Sequence, residues 1–337
     1  MKEIKKILII RTDKIGDIIL TLPLAKVIKD NFPNAEIDFL VQNYTAPIVK
    51  LNKYISNVII LPNSFKELFS FLQNAKYDIA ITVKPEFNIA FALFLAKVPI
   101  RIGTAYRFYS FFFNKKIYHH RKKAKKNELE YNFDLIRPLN INFQPNFHNV
   151  DFGFEIPDEI TNKVKKILND YNIDFTKKIL IVHPGSGKSS ADYPINKLKF
   201  IIDNLSNLNI NIIVTGNHTE QYICDLVSQN KVANLAGKLK LDELVALINL
   251  SDFLIANSTG PIHIAAALNK WSIGFYPLVK ECSETRWGPY TSKKIIFTPS
   301  NTNCKHLKLN DCIKNQCMNS IDPENVFNTI SKLIKSE

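Results

Sequence analysis

The residues able to do chemistry gather in four short loops, each directly after an apolar run. In the first, Arg11-Thr12-Asp13-Lys14-Ile15-Gly16-Asp17 follows the strand-like run Ile7 to Ile10. A helical apolar spacing at Ile18, Leu22, Ala25 and Ile28 comes next, with Pro23 predicting a first turn at or just before itself. Asp17 is either a helix cap or a functional carboxylate at the carboxyl edge of a parallel sheet, where open α/β folds place their ligands. Asp13 is the rival carboxylate in the same loop.

The second loop, Gly185-Ser186-Gly187-Lys188-Ser189, follows another strand-like run and suits a pyrophosphate. It is not a Walker loop, because Val182 stands where that motif needs a glycine. The third, Thr215-Gly216 with Glu220, places a carboxylate where a ribose hydroxyl could bind, or simply a glutamate in a first helical turn. In the fourth, Asn257-Ser258-Thr259-Gly260-Pro261-Ile262-His263, a cap and Pro261 open a helix whose free N–H groups would attract phosphate. His263 is expected either to orient that phosphate or to be an ordinary core histidine. Gly16 is the only glycine before Gly103, which excludes a dinucleotide fingerprint.

Alternating elements position these loops. Strands are predicted at Ile37 to Val41, Val58 to Leu61 and Ile79 to Val83, with a helix over Ser64 to Gln73. Around Asn140 to Pro157 the pattern lapses. A second cycle follows: helix Thr161 to Tyr171, strand Lys178 to Val182, helix Ile195 to Leu208, strand Ile210 to Val214, helices Thr219 to Asn230 and Leu241 to Asn249, strand Phe253 to Ala256. The chain is therefore read as α/β, two doubly wound parallel-sheet domains in tandem across a cleft, 1–155 and 156–337.

The chain has 337 residues and a formal charge of +13. Nine Lys or Arg and no acid lie between Arg101 and Asn127, interleaved with aromatics, a composition suited to a polyanion or an anionic membrane surface. Nucleic acid is not expected, since no recognition motif accompanies the patch. The start MKEIKKILIIR lacks a secretory h-region, and Phe87 to Val98 is too short to span a bilayer, so a cytoplasmic protein is expected. Cys224, Cys282, Cys304, Cys312 and Cys317 are odd in number and argue against a disulfide framework. Cys304, His306, Cys312 and Cys317 lack the C-x-x-C pair of a convincing zinc site.

The runs RTDKIGDIILTLP, HPGSG, VTGNHTEQ, NLAGKLKLDELVALI, ANSTGPIHIAAAL and RWGPY, in this order over nearly the whole chain, resemble the bacterial heptosyltransferases of glycosyltransferase family 9. The tail CKHLKLNDCIKNQCMNSIDPENV resembles the family's cysteine-bearing end. The resemblance implies a GT-B fold with two Rossmann-like domains. The N-terminal one would bind the acceptor and the C-terminal one the nucleotide sugar, the last helix being a candidate to pack back on the N-terminal domain. It implies inverting, metal-independent transfer of a heptose from ADP-heptose to the lipopolysaccharide inner core, at the cytoplasmic face of the inner membrane and with no cofactor.

By position, the resemblance makes Asp17 the base. It assigns Ser258, Thr259 and Gly260 to the donor pyrophosphate, and the loops read above add Gly16, Ser186, Gly187, Lys188, Thr215, Gly216, Glu220 and His263 as expected donor contacts. Arg101, Arg107, Arg121 and Lys122 would grip acceptor phosphates or acidic sugars. The chain departs from some members in carrying Ser258 where they have Asp. It also has Ala191-Asp192-Tyr193-Pro194 where a lysine precedes W-P, so Lys188 would substitute from upstream. No D-x-D triplet occurs to clamp a metal. A nucleotide-sugar hydrolase or epimerase, and a noncatalytic polyanion binder, are the alternatives.

Overall fold

The computed structural model describes residues 3–300, 308–314 and 316–337. The chain divides into two compact units: residues up to Arg121 with Lys126–Glu155, and Lys122–Lys125 with Ile156–Glu337.

The first unit begins with β1 (Lys6–Ile10), whose apolar run is buried on both faces, as the middle of a parallel sheet requires. There follow α1 (Ile15–Ile19), α2 (Pro23–Asn31), β2 (Glu36–Val41), α3 (Ala46–Val49), β3 (Asn57–Ile60) and α4 (Phe65–Ala75). Ser64 caps α4 by accepting the Glu67 N–H, and Lys76 ends it in a left-handed conformation. Then come β4 (Ile79–Thr82), α5 (Phe87–Leu95), β5 (Ile100–Thr104), β6 (Lys115–Ile117) and α6 (Glu128–Asp134), the last opened by a capping box of Asn127 and Glu130. All strands pair in parallel in the order β3-β2-β1-β4-β5-β6.

The second unit runs α7 (Asp158–Asp170), β7 (Lys178–His183), α8 (Ile195–Leu205), β8 (Ile210–Val214), α9 (Gln221–Ser228), β9 (Ala233–Asn234) and α10 (Leu241–Leu250). It continues with β10 (Phe253–Asn257), α11 (Gly260–Ala267), β11 (Trp271–Phe275), α12 (Glu284–Trp287), β12 (Lys294–Phe297), α13 (Leu309–Lys314) and α14 (Pro323–Ser336). Its parallel order is β12-β11-β10-β7-β8-β9, which repeats the first sheet's topology. α14, capped by Asp322, packs on α8 and closes the core of its own unit with Val326, Ile330 and Ile334.

Two local differences from the sequence reading bear on the site. The apolar spacing Ile18 to Ile28 falls on two helices, the second starting at Pro23 as expected and the first, α1, not foreseen. Pro23 has no N–H to bond back to Ile19, so α1 stops, Leu20 and Leu22 close it onto Gly16 and Ile18, and α2 restarts at the proline. The basic segment, to which the sequence reading assigned no element, carries most of β5 and all of β6, the edge of the first sheet.

Candidate functional site

In a doubly wound sheet the strand order reverses at one point, and loops diverge there to leave room for a ligand. In the first unit that point lies between β1 and β4. The loop after β1 carries Arg11, which is only 3% exposed yet charged. Its guanidinium pairs with Asp17 through Nη2, donates from Nε to Asp13 at 2.6 Å, and reaches Glu128 on α6 at 3.4 Å. Arg121 pairs with the same glutamate, and Asn132 Oδ1 lies 3.5 Å from Arg11. Asn132 also donates to the Leu20 carbonyl at 2.9 Å, tying α6 to the end of α1. Across the switch point Thr12 donates to Glu86 at 2.7 Å.

Among the described residues, Asp13, Asp17 and Glu128 share the guanidinium groups of Arg11 and Arg121. Burial lifts the Asp17 carboxyl to about 6; Arg11 opposes that rise, while Asp13 and Glu128 add to it. Burial works against the charge on Arg11, but its acidic neighbours outweigh it and hold the group protonated well above the usual range. A carboxylate with an affinity for protons near neutrality suits a general base, which works best when its pKa lies close to the operating pH. Gly16 sits immediately before Asp17 in α1, and Tyr44 donates to the Asp13 backbone carbonyl at 2.8 Å.

In the second unit the switch point lies between β7 and β10, and hydrogen bonds knit the two following loops together. Asn257 accepts the Tyr193 N–H at 2.8 Å and donates to the Pro184 carbonyl at 2.6 Å. Ser189 donates to the carbonyls of Ser186 (2.6 Å) and Ser258 (3.2 Å). Gly187 and Lys188 are both left-handed, at φ 54° and 62°, so the turn needs the glycine for its backbone rather than for space. Lys188 is exposed, and Thr259 leads into α11 at Gly260 with Pro261 in its first turn.

Thr215 and Glu220 meet a residue that sequence reading did not single out. The His183 ring, at the end of β7, lies 3.0 Å from Thr215 Oγ1 and 3.8 Å from Glu220. Glu220 is 6% exposed and caps its own helix start through the Asn217 N–H, so it is not a solvated first-turn acid. A Cβ on Gly185 would stand 2.1 Å from its carboxylate, so only glycine lets the β7 loop pass this close. Gly216 packs against Cys224 and Glu220 in the same way. Burial lowers both His183 and His263, His263 to about 4, so both imidazoles are neutral near pH 7. Ser190 Oγ and His263 Nδ1 are buried without a hydrogen-bond partner among the described residues.

The expected acceptor cations separate. Arg101 is spent on its own loop, donating to the carbonyls of Phe112 (2.7 Å) and Val98 (2.5 Å), so it is a structural pin. Arg121 is paired with Glu128 and stacks over Tyr131, whereas Arg107 is exposed. The side chain of Lys122, and Cys304 and His306, lie outside the described residues. Cys312 is buried and Cys317 half-buried. Arg11, Glu128 and Asn257 went unrecognised as site residues; the available signal was an arginine directly after a buried strand, which cannot stay buried without acids.

The fold is that of GT-B enzymes. The Escherichia coli ADP-heptose lps heptosyltransferase II has a similar structure, with a TM-score of 0.81 and 19% identity, covering 98% of this chain and 99% of that one. The profile of Glycosyltransferase family 9 (heptosyltransferase) matches residues 65–317, and the chain belongs to that family. Lipopolysaccharide heptosyltransferase 1 of Campylobacter coli is 27% identical over 363 residues, covering 98% of this chain and 100% of the relative. A Haemophilus influenzae protein named provisionally as a glycosyltransferase is also 27% identical, over 314 residues, 88% of this chain and 89% of that protein. The chain is thus a glycosyltransferase of the lipopolysaccharide heptosyltransferase family.

Proposed function

We propose that the chain moves a heptose from ADP-heptose onto an anionic sugar of the lipopolysaccharide inner core, working at the cytoplasmic face of the inner membrane. The names of the relatives support the sugar and the acceptor. The observation that carries the chemistry is the buried Asp17, raised to about 6 and oriented by Arg11 at the first sheet's switch point.

Asp17 takes the proton of an acceptor hydroxyl, and that oxygen attacks the anomeric carbon. The bond from that carbon to the diphosphate breaks as the new one forms, and the leaving charge stays on the nucleoside diphosphate. In the second unit the N–H groups at the start of α11 and the Ser186–Lys188 turn meet the diphosphate. Ser190 and His263 offer it neutral polar atoms that lack partners among the described residues. Arg107 and Lys122 remain the cations for the acceptor.

The test is transfer by Asp17→Asn with ADP-heptose and a heptose-free core acceptor. A positioned base is worth about 10² to 10⁴ in rate. Turnover near wild type in a folded variant removes Asp17 from the role. Equal consumption of ADP-heptose by the wild type with and without acceptor assigns hydrolysis in place of transfer.

A further inference from the structure

The first unit carries an apolar face that its own fold leaves uncovered. The inner side of α5 buries Ile89, Ala90, Ala92 and Leu93, while Phe87 (42% exposed), Phe94 (45%) and Leu95 (39%) face outward. The loop between β5 and β6 lies against this helix. It turns Tyr109, Phe112 and Phe113 inward and leaves Phe108 83% and Phe111 65% exposed. The rings are continuous: Phe108 stacks on Phe87 at 5.9 Å, Phe112 meets Phe91 and Phe94 at 5.2 Å each, and Phe111 lies 4.3 Å from Phe112. The loop is also held in place, by Arg101 on two carbonyls and by the Tyr109 hydroxyl donating to the Pro85 carbonyl at 2.9 Å. Exposed phenylalanines on a pinned loop mark a surface built to meet something.

Exposed cations belong to the same elements: Arg107 in the loop, Lys97 at the end of α5, and Lys116 on the edge strand β6, which pairs with Gly103 and so shares the face of the sheet on which Phe113 packs. Glu86, the acid at the start of α5, is engaged by Lys84 at 3.1 Å and by Thr12.

We propose that this face docks the enzyme on an anionic lipid bilayer, with Phe108 and Phe111 entering the headgroup–acyl boundary and Arg107 and Lys116 resting on the headgroups. Aromatic and aliphatic side chains accompanied by arginine and lysine suit an interface that is apolar below and negative at its surface. A second copy of the chain fits poorly, because it would set like cations against each other. Single-stranded nucleic acid needs open ring faces, and Phe87 and Phe108 already stack on one another, as Phe65 and Phe91 do at 5.5 Å. The inference deepens the proposed membrane location by naming the surface responsible, and it is tested without donor or acceptor.

Wild-type protein is sedimented with vesicles of phosphatidylethanolamine and phosphatidylglycerol, 3:1, beside a Phe108→Ser/Phe111→Ser variant. The wild type is expected in the pellet, with the variant's partition reduced at least tenfold. Lys116→Ala weakens binding about fivefold, and only to anionic vesicles. Equal binding by wild type and the phenylalanine variant overturns the proposal. So does a wild-type dimer that the variant abolishes, or oligonucleotide binding that it abolishes, when vesicles bind neither protein. Transfer to a soluble, delipidated acceptor is expected to be unchanged in the variant. Vesicle binding without any transfer refutes the proposed reaction alone, and transfer without vesicle binding refutes the docking face alone.

Discussion

Replacing Asp17 with Asn should stabilise the protein at neutral pH while removing its activity. The carboxyl rises from an ordinary 3.8 to about 6 in its site, so ionising it there costs about 3 kcal/mol more than in the unfolded chain. The sign follows from proton binding. Below about pH 4 the group is neutral in both states and nothing is lost. Between about pH 4 and 6 the folded state holds a proton that the unfolded state has released, so stability falls by about 1.4 kcal/mol per pH unit. Above about 6 the deficit is constant. Asparagine resembles the neutral acid, and Arg11 keeps Asp13 at 2.6 Å and Glu128 as partners. The gap between variant and wild type should therefore open from near zero at pH 4 to about 3 kcal/mol in the variant's favour at pH 7. Urea unfolding of both proteins at pH 4.5, 5.5 and 7, with transfer measured at pH 7, checks it. A variant less stable than wild type at pH 7, or a gap that does not change with pH, refutes the account of Asp17 as an acid whose burial outweighs its ion pair.

Wild-type kcat/KM should fall tenfold per pH unit below about pH 6, as Asp17 takes up a proton; a profile flat from pH 5 to 7 is the contrary result. Asn257→Ala leaves a buried N–H of Tyr193 and a buried carbonyl of Pro184 without partners, and should cost about 2 to 4 kcal/mol in unfolding free energy. In calorimetric titration its donor affinity should drop, because the β7 and β10 loops lose their tie. Burial pushes the Cys224 thiol up to about 12, so in native protein it should resist iodoacetamide at pH 8 by mass spectrometry and react after unfolding in urea.

The parts of the architecture legible in the sequence are those whose physics is local. β1 and β10 are short apolar runs because both faces are covered, and the Asn257–Pro261 stretch announces a helix start through cap and proline. β6 was hidden because an edge strand exposes Lys115 and Lys116 in succession and shows no alternation. The grouping around Asp17 was hidden for another reason. Glu128 lies 117 residues from Arg11, and only the folded sheet brings α6 beside the β1 loop. His183 likewise looks like a strand's last residue until β8 delivers Thr215, and the turn after it Glu220, to its ring.

The two units share one strand order, so their different work must come from what each sets at its switch point. The first gathers buried charge: among the described residues Asp13, Asp17 and Glu128 meet around Arg11, and burial, with the two neighbouring acids adding to it, raises the proton affinity of Asp17 toward neutrality. The second is built differently. Its imidazoles are neutral through burial, Gly185 lets its loop lie against Glu220, Gly187 supplies a left-handed turn, and its loops are tied by Asn257 through backbone groups. In the proposed reaction such a site would meet a diphosphate with N–H dipoles and the exposed Lys188 of its turn, donors that bind it without trapping it. One topology would then serve both a proton acceptor and a leaving diphosphate because the residues after β1 and β7 differ, acids around one arginine in the first case and a turn of small residues in the second.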